Sequence, residues 1–195
     1  MSFIETVPEA EATGDVAAMY DRARGNFGYL PNMVCIFSHR PDVMDGWNGL
    51  LAAIRGHLDP RRYEIATFAA ARAMGSSYCM LAHGKVLLAD GLSADTLVSF
   101  ARTGDAHELT EVESAIAAYA ARIATDAGSV TEADIAGLRE HGLTDSEIFD
   151  IAAAAALRSF FSKLLDALGA QPDAAYRALG QDLTNALTVG RPIET

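Results

Sequence analysis

Apolar residues recur along this chain at helical spacing, and strand-like alternation is missing throughout. Gly and Pro fall between the periodic segments rather than inside them, so the pattern predicts an all-α protein punctuated by turns. A first helix is expected over Asp15–Arg24, followed by a turn at Gly25–Pro31. A short helix over Asn32–Ser38 should stop before Pro41, and another should cover Val43–Ile54. Asp59-Pro60 is a strong start, because proline is tolerated at the first helical position, and that helix should end at Met74-Gly75. The next should stop at Asp90-Gly91, and Ser93 should cap a short helix to Phe100. Thr110-x-x-Glu113 and Thr144-x-x-Glu147 have full capping-box form, and Thr131-x-x-Asp134 is a weaker variant. Gln171-Pro172 is expected to open the last helix.

The 195 residues suit one domain with a real core. Gly104–Leu109 is the best linker candidate but is too short to demand a boundary. Tyr63–Arg72 aligns without gaps to Phe149–Arg158, a faint internal repeat. Its second copy lacks the chemistry of the first, with Ser162 at the place of Ser76, Leu165 at that of Cys79 and Gly169 at that of His83. The motif-bearing core is therefore about 41–125, and the helices over about 131–190 are read as structural.

That chemistry lies in Ser76-Ser77-Tyr78-Cys79-Met80-Leu81-Ala82-His83. Ser76 can act as N-cap after the Gly75 break, which puts Cys79 at the third helical position. Free backbone N–H groups and the helix dipole favour a thiolate there. His83 follows one turn later on the same face, where it can exchange a proton with sulfur. Glu64 lies eleven residues before Gly75 and His83 eight after it. In an antiparallel pair their heights differ by roughly 4.5 Å. Glu64 can then orient the imidazole and raise its basicity, giving a relay from Glu64 to His83 to Cys79.

Composition removes other function classes. A net charge of −11 leaves no Lys/Arg cluster to replace counterions on nucleic acid, and it disfavours anionic membranes. No segment approaches the roughly 18 apolar residues of a membrane span. The N-terminus lacks the regions of a signal peptide, and Cys35 and Cys79 make no disulfide framework, so a reduced, cytoplasmic protein is expected. Cys79 and His83 supply two ligands where structural zinc takes four, so no metal is expected. His39, His57, His107 and His141 read as surface or capping residues, Trp47 as an anchor in a helix interface, and Tyr78 chiefly as packing.

The constellation Glu64…Ser76-Ser77-Tyr78-Cys79…His83 resembles the alkylhydroperoxidase AhpD-like, or carboxymuconolactone decarboxylase, family. Pro31-Asn32 and the helix over Leu143–Gly169 are similar to its peroxidase-related branch. The resemblance implies an AhpD-like helical bundle and homo-oligomers, often trimers or hexamers. It also implies that Cys79, His83 and Glu64 are catalytic and that no bound cofactor is needed. The peroxidase members carry Cys-x-x-Cys, and this chain has Ser76 at the first cysteine. Serine cannot close the resolving disulfide, although its hydroxyl can bond the Cys79 thiolate or cap the helix. The implied activity is then a hydroperoxide reductase resolved by an external thiol or dithiol, or by Cys35. Its substrate would be hydrogen peroxide or a small organic hydroperoxide, since the sequence offers no evident basic clamp for an anion. A lyase of the decarboxylase branch would use His83 and Glu64 for proton transfer, with Arg72 or Lys85 for a substrate carboxylate. An inactive oligomeric family member is the third reading.

Overall fold

The computed structural model describes residues 2–195. Among them are ten α-helices and four short 3-10 turns, with no strand. The helices are α1 (Gly14–Phe27), α2 (Asn32–Ile36), α3 (Pro41–Arg55), α4 (Pro60–Met74) and α5 (Ser77–Ala89). They continue with α6 (Ala94–Thr103), α7 (Glu111–Asp126), α8 (Glu132–Glu140), α9 (Asp145–Ala167) and α10 (Gln181–Leu187). The capping chemistry legible in the chain sets five of the ten α-helix starts. Asp59 accepts from Arg62 N ahead of Pro60, and Ser93 accepts from Thr96 N. All three threonine capping boxes form, including the Thr131–Asp134 variant.

α4 is the centre of the bundle. Every residue from Tyr63 to Ala71 is buried, and the helix packs against α5, α7 and α9. Its alanines let neighbouring axes approach closely, since interaxial distance follows the side chains at the contact. Burial on all sides also explains why Glu64 and Thr67, both buried, need internal partners. At Gly75 the backbone takes φ 70°, a left-handed conformation suited to glycine. Ser76 N donates to Ala71 O at 3.0 Å, closing the end of α4 and turning the chain into α5.

Two expectations are corrected. Gln171-Pro172 does not open an α-helix: the chain is extended at Asp173, then forms a 3-10 turn over Ala174–Leu179 and finally α10. The reason is the Asp173 carboxylate, which accepts from Asn32 N at 2.7 Å, Tyr78 Oη at 2.5 Å and Tyr29 Oη at 3.1 Å. Nor does the sequence repeat extend to architecture. α9 runs unbroken through Phe161, the residue aligned with Gly75, so the second copy has no turn.

The last residues form a strap along the start of α5. Gly190 N donates to Ser77 Oγ at 2.8 Å, and Arg191 donates to Asp166 O. A side-chain carbon at Gly190 would come within 2.5 Å of Gly75 O, so only glycine fits this crossing.

Candidate active site

α4 and α5 bring Glu64 and His83 together across the Gly75 turn. His83 Nδ1 lies 2.6 Å from Glu64 Oε2 and 3.1 Å from Thr67 Oγ1. A carboxylate only accepts, so Nδ1 carries the proton and donates it to Glu64. Nε2 is then the unprotonated nitrogen, and it makes no hydrogen bond among the described residues. Burial lowers the His83 pKa, and the Arg158 charge adds to that, while the bond to Glu64 opposes both. The ring is thus a neutral base near neutral pH.

Cys79 is the third residue of α5 and is buried. Its sulfur partners come from α9, a helix that the sequence reading treats as structural. Ser162 Oγ donates to Cys79 Sγ at 3.1 Å, and Arg158 Nη1 lies 3.6 Å from the same sulfur. Arg158 Nη2 reaches Tyr63 Oη at 3.4 Å. The Arg158 guanidinium is buried, which by itself lowers its pKa, yet interactions with Cys79 and Tyr63 hold it above the ordinary value. A permanent cation therefore stands beside the thiol. Arg158 and Ser162 are one turn apart on α9, and in the sequence they fall on the alanine-rich repeat that masks them. The packing of α9 against α4 and α5 brings them to Cys79, so no local motif announces them.

Ser76 takes its expected place at the head of α5 but not the expected bonds. Its hydroxyl caps nothing and does not reach sulfur. It is buried and has no hydrogen-bond partner among the described residues. The hydrogen bond to sulfur that the sequence assigns to Ser76 is made by Ser162. Tyr78 Oη is likewise committed, donating to Asp173 and accepting from Met33 N.

Cys79, His83 and Glu64 open onto one cavity of about 540 Å³. Trp47, Tyr63, Phe161 and Tyr176 supply aromatic walls, and Trp47 stacks on Phe161 at 4.3 Å between centroids. Arg55, Lys85 and Arg158 line it too, which corrects the expectation of a site without a basic clamp. Arg72 is not among them: it bonds Ala101 O and lines a separate cavity beside Gly104. Cys35 is half-buried, lies on another cavity near Ser2–Thr6, and is not disulfide-bonded. Burial raises its thiol pKa, the opposite of activation. Among the described residues no group of three or more His, Cys, Asp or Glu is placed to hold a metal ion, and no helix is long and apolar enough to cross a membrane.

The protein is an all-helical bundle whose two central helices bring a thiol, an imidazole and a carboxylate onto one cavity. Residues 41–122 match the carboxymuconolactone decarboxylase family model. The fold agrees with the AhpD core of a peroxidase-related protein from Ralstonia eutropha JMP134, at 24% identity and TM-score 0.80 over 90% of this chain and 94% of that one. A peroxidase-related protein from Silicibacter sp. TM1040 is similar at 17% identity and TM-score 0.76, covering 92% of each chain. The debrominase Bmp8, as a cysteine-to-alanine variant in complex with 2,3,4-tribromopyrrole, is similar at 18% identity and TM-score 0.75 over 95% of this chain and all of that one. A search of the curated proteins finds no match.

Proposed function

We propose that the protein is a thiol-dependent hydroperoxide reductase in which Cys79 is the nucleophile, His83 its base and Glu64 the group that orients His83. The observation that carries this reading is the pair of donors on sulfur, Ser162 Oγ at 3.1 Å and the Arg158 guanidinium at 3.6 Å. A buried thiol kept only for packing has no use for a buried cation, whereas a thiolate nucleophile does.

His83 Nε2 takes the thiol proton, with Nδ1–H held by Glu64. The thiolate attacks the terminal oxygen of the hydroperoxide ROOH. An S–O bond forms, the O–O bond breaks, and RO⁻ leaves and takes the proton back from His83 as the alcohol. Sulfur is oxidised by two electrons to a sulfenic acid. An external thiol then condenses with it, releasing water and leaving a mixed disulfide. A second thiol frees Cys79, so one ROOH and two thiols yield one ROH, one water and one disulfide. Ser76 cannot take part in resolution, and the place of Cys35 on a different cavity of the same chain favours an outside thiol.

Thiol-dependent hydroperoxide consumption by the protein and its Cys79→Ser variant tests this. Turnover that Cys79→Ser abolishes is expected. Turnover of a lactone acid that survives Cys79→Ser but not His83→Gln would favour the proton-transfer lyase instead. A second thiol reading, removal of halogen from an aromatic ring, is favoured by the aromatic walls of the cavity and the debrominase likeness in fold. Halide release from a brominated pyrrole separates it from peroxide reduction.

A further inference from the structure

We infer that the Cys79 cavity selects an anionic, flat-bodied substrate: an organic hydroperoxide whose apolar body bears a carboxylate. The inference rests on the proposed peroxide reading for the reacting group, but its basis is the distribution of charge. The chain carries 26 acidic residues against 15 Lys and Arg. Around this one cavity the balance reverses, with Arg55, Lys85 and Arg158 against Glu64 alone. His83 is neutral there, so the cavity is net positive inside a strongly acidic molecule. Such a local reversal draws anions and repels cations.

The three cations are not equivalent. Arg158 is buried and engaged with sulfur and Tyr63. Arg55 is half-exposed, lies over the Tyr63 ring at 4.9 Å, and approaches Glu64 only at 3.7 Å, so most of its donors are uncommitted. Lys85 is exposed and has no ion pair among the described residues. Arg55 and Lys85 therefore form the receiving end for a carboxylate, and Arg158 forms the reacting end. An acceptor-bearing ligand fits this arrangement and a cationic one does not.

Size points the same way. At about 540 Å³ the cavity lies within the range of small-molecule sites, roughly 300–1,000 Å³. Hydrogen peroxide would leave most of it, and its aromatic walls, unused.

Trp47 is the single tryptophan of the chain and lines the cavity, so its emission reports occupancy. The unreactive probes 4-isopropylbenzoate and 4-isopropylbenzyl alcohol share a body and differ in charge. Binding is read by Trp47 emission and independently by equilibrium dialysis. The carboxylate is expected to bind about tenfold tighter at low salt, an advantage that shrinks as salt rises. It should fall to about twofold when Lys85→Gln and Arg55→Gln are combined. Salt dependence in the unaltered protein keeps the test decisive if that variant folds poorly. Equal affinity for the two probes, or a preference indifferent to salt, would overturn the inference. Peroxide reactivity of Cys79 is measured separately. Carboxylate preference without that reactivity sinks only the peroxide reading, and reactivity without the preference sinks only this one.

Discussion

Ser162 of α9 donates its hydroxyl to Cys79 of α5 across 3.1 Å, although 83 residues separate them in the chain. One turn earlier on α9, Arg158 adds a guanidinium to the same sulfur. The chemistry of the site is thus divided between a local motif on α4–α5 and a distant helix that holds the sulfur.

Arg158 is the stronger of the two partners. Charge-assisted hydrogen bonds contribute about 1.5–3 kcal/mol, and about 1.4 kcal/mol is tenfold in rate. Arg158→Met is expected to slow alkylation of Cys79 by iodoacetamide at neutral pH about tenfold. Arg158→Lys should recover part of the loss. Mass-resolved alkylation kinetics distinguish Cys79 from Cys35. An unchanged Cys79 rate in Arg158→Met would remove the cation from the account.

Ser162→Ala removes one neutral donor, worth about 1 kcal/mol. Cys79 reactivity should fall about fivefold, with the melting temperature shifted by no more than a few degrees. The corresponding change at Ser76, whose hydroxyl does not touch sulfur, should leave the Cys79 rate unaltered. A larger effect at Ser76 than at Ser162 would reverse this assignment.

His83 should be observed as the neutral Nδ1–H tautomer in 15N spectra near pH 7, fixed by the 2.6 Å bond to Glu64. Its pKa is depressed by burial below the unfolded value of 6.5. A base that protonates more readily when unfolded favours the unfolded state in acid. His83 therefore contributes stability that is full above pH 6.5 and is lost as pH falls through the folded-state pKa. Melting temperature should decline over that window, and His83→Gln should flatten the decline. Nε2–H as the sole tautomer would contradict the proposed direction of proton transfer.

Gly190→Ala places a carbon against Gly75 O, a backbone atom that cannot turn aside. Displacement of the strap from the head of α5 is expected, with a loss of roughly 1–3 kcal/mol in chemical denaturation. Since Gly190 N also holds Ser77 Oγ, amide exchange at the first turn of α5 should quicken. Unchanged stability would mean that the strap does not support this turn.

The helices were legible because their signals are local. Asp59-Pro60, Ser93 and the three threonine boxes each act within four residues of themselves, and each starts a helix where the pattern places it. The proximity of Glu64 and His83 was legible for a related reason: one glycine turn fixes the register of two adjoining helices. Arg158, Ser162 and the cation ring were not. Their place depends on how α9 packs on α4 and on where α3 ends, which no periodicity specifies. Asp173 shows the same limit in reverse. Its neighbourhood reads as a helix start until Asn32, Tyr29 and Tyr78, remote in sequence, claim the carboxylate.

The central claim is that Cys79 is a peroxide-reactive thiolate, and one measurement addresses it most directly. The reduced protein is treated with one equivalent of an organic hydroperoxide, quenched within seconds, and its two cysteines are mapped by mass spectrometry after sulfenate trapping. The account predicts a sulfenate at Cys79, an unmodified Cys35, and release of one equivalent of alcohol. A Cys79 that remains a thiol while the hydroperoxide persists would contradict it.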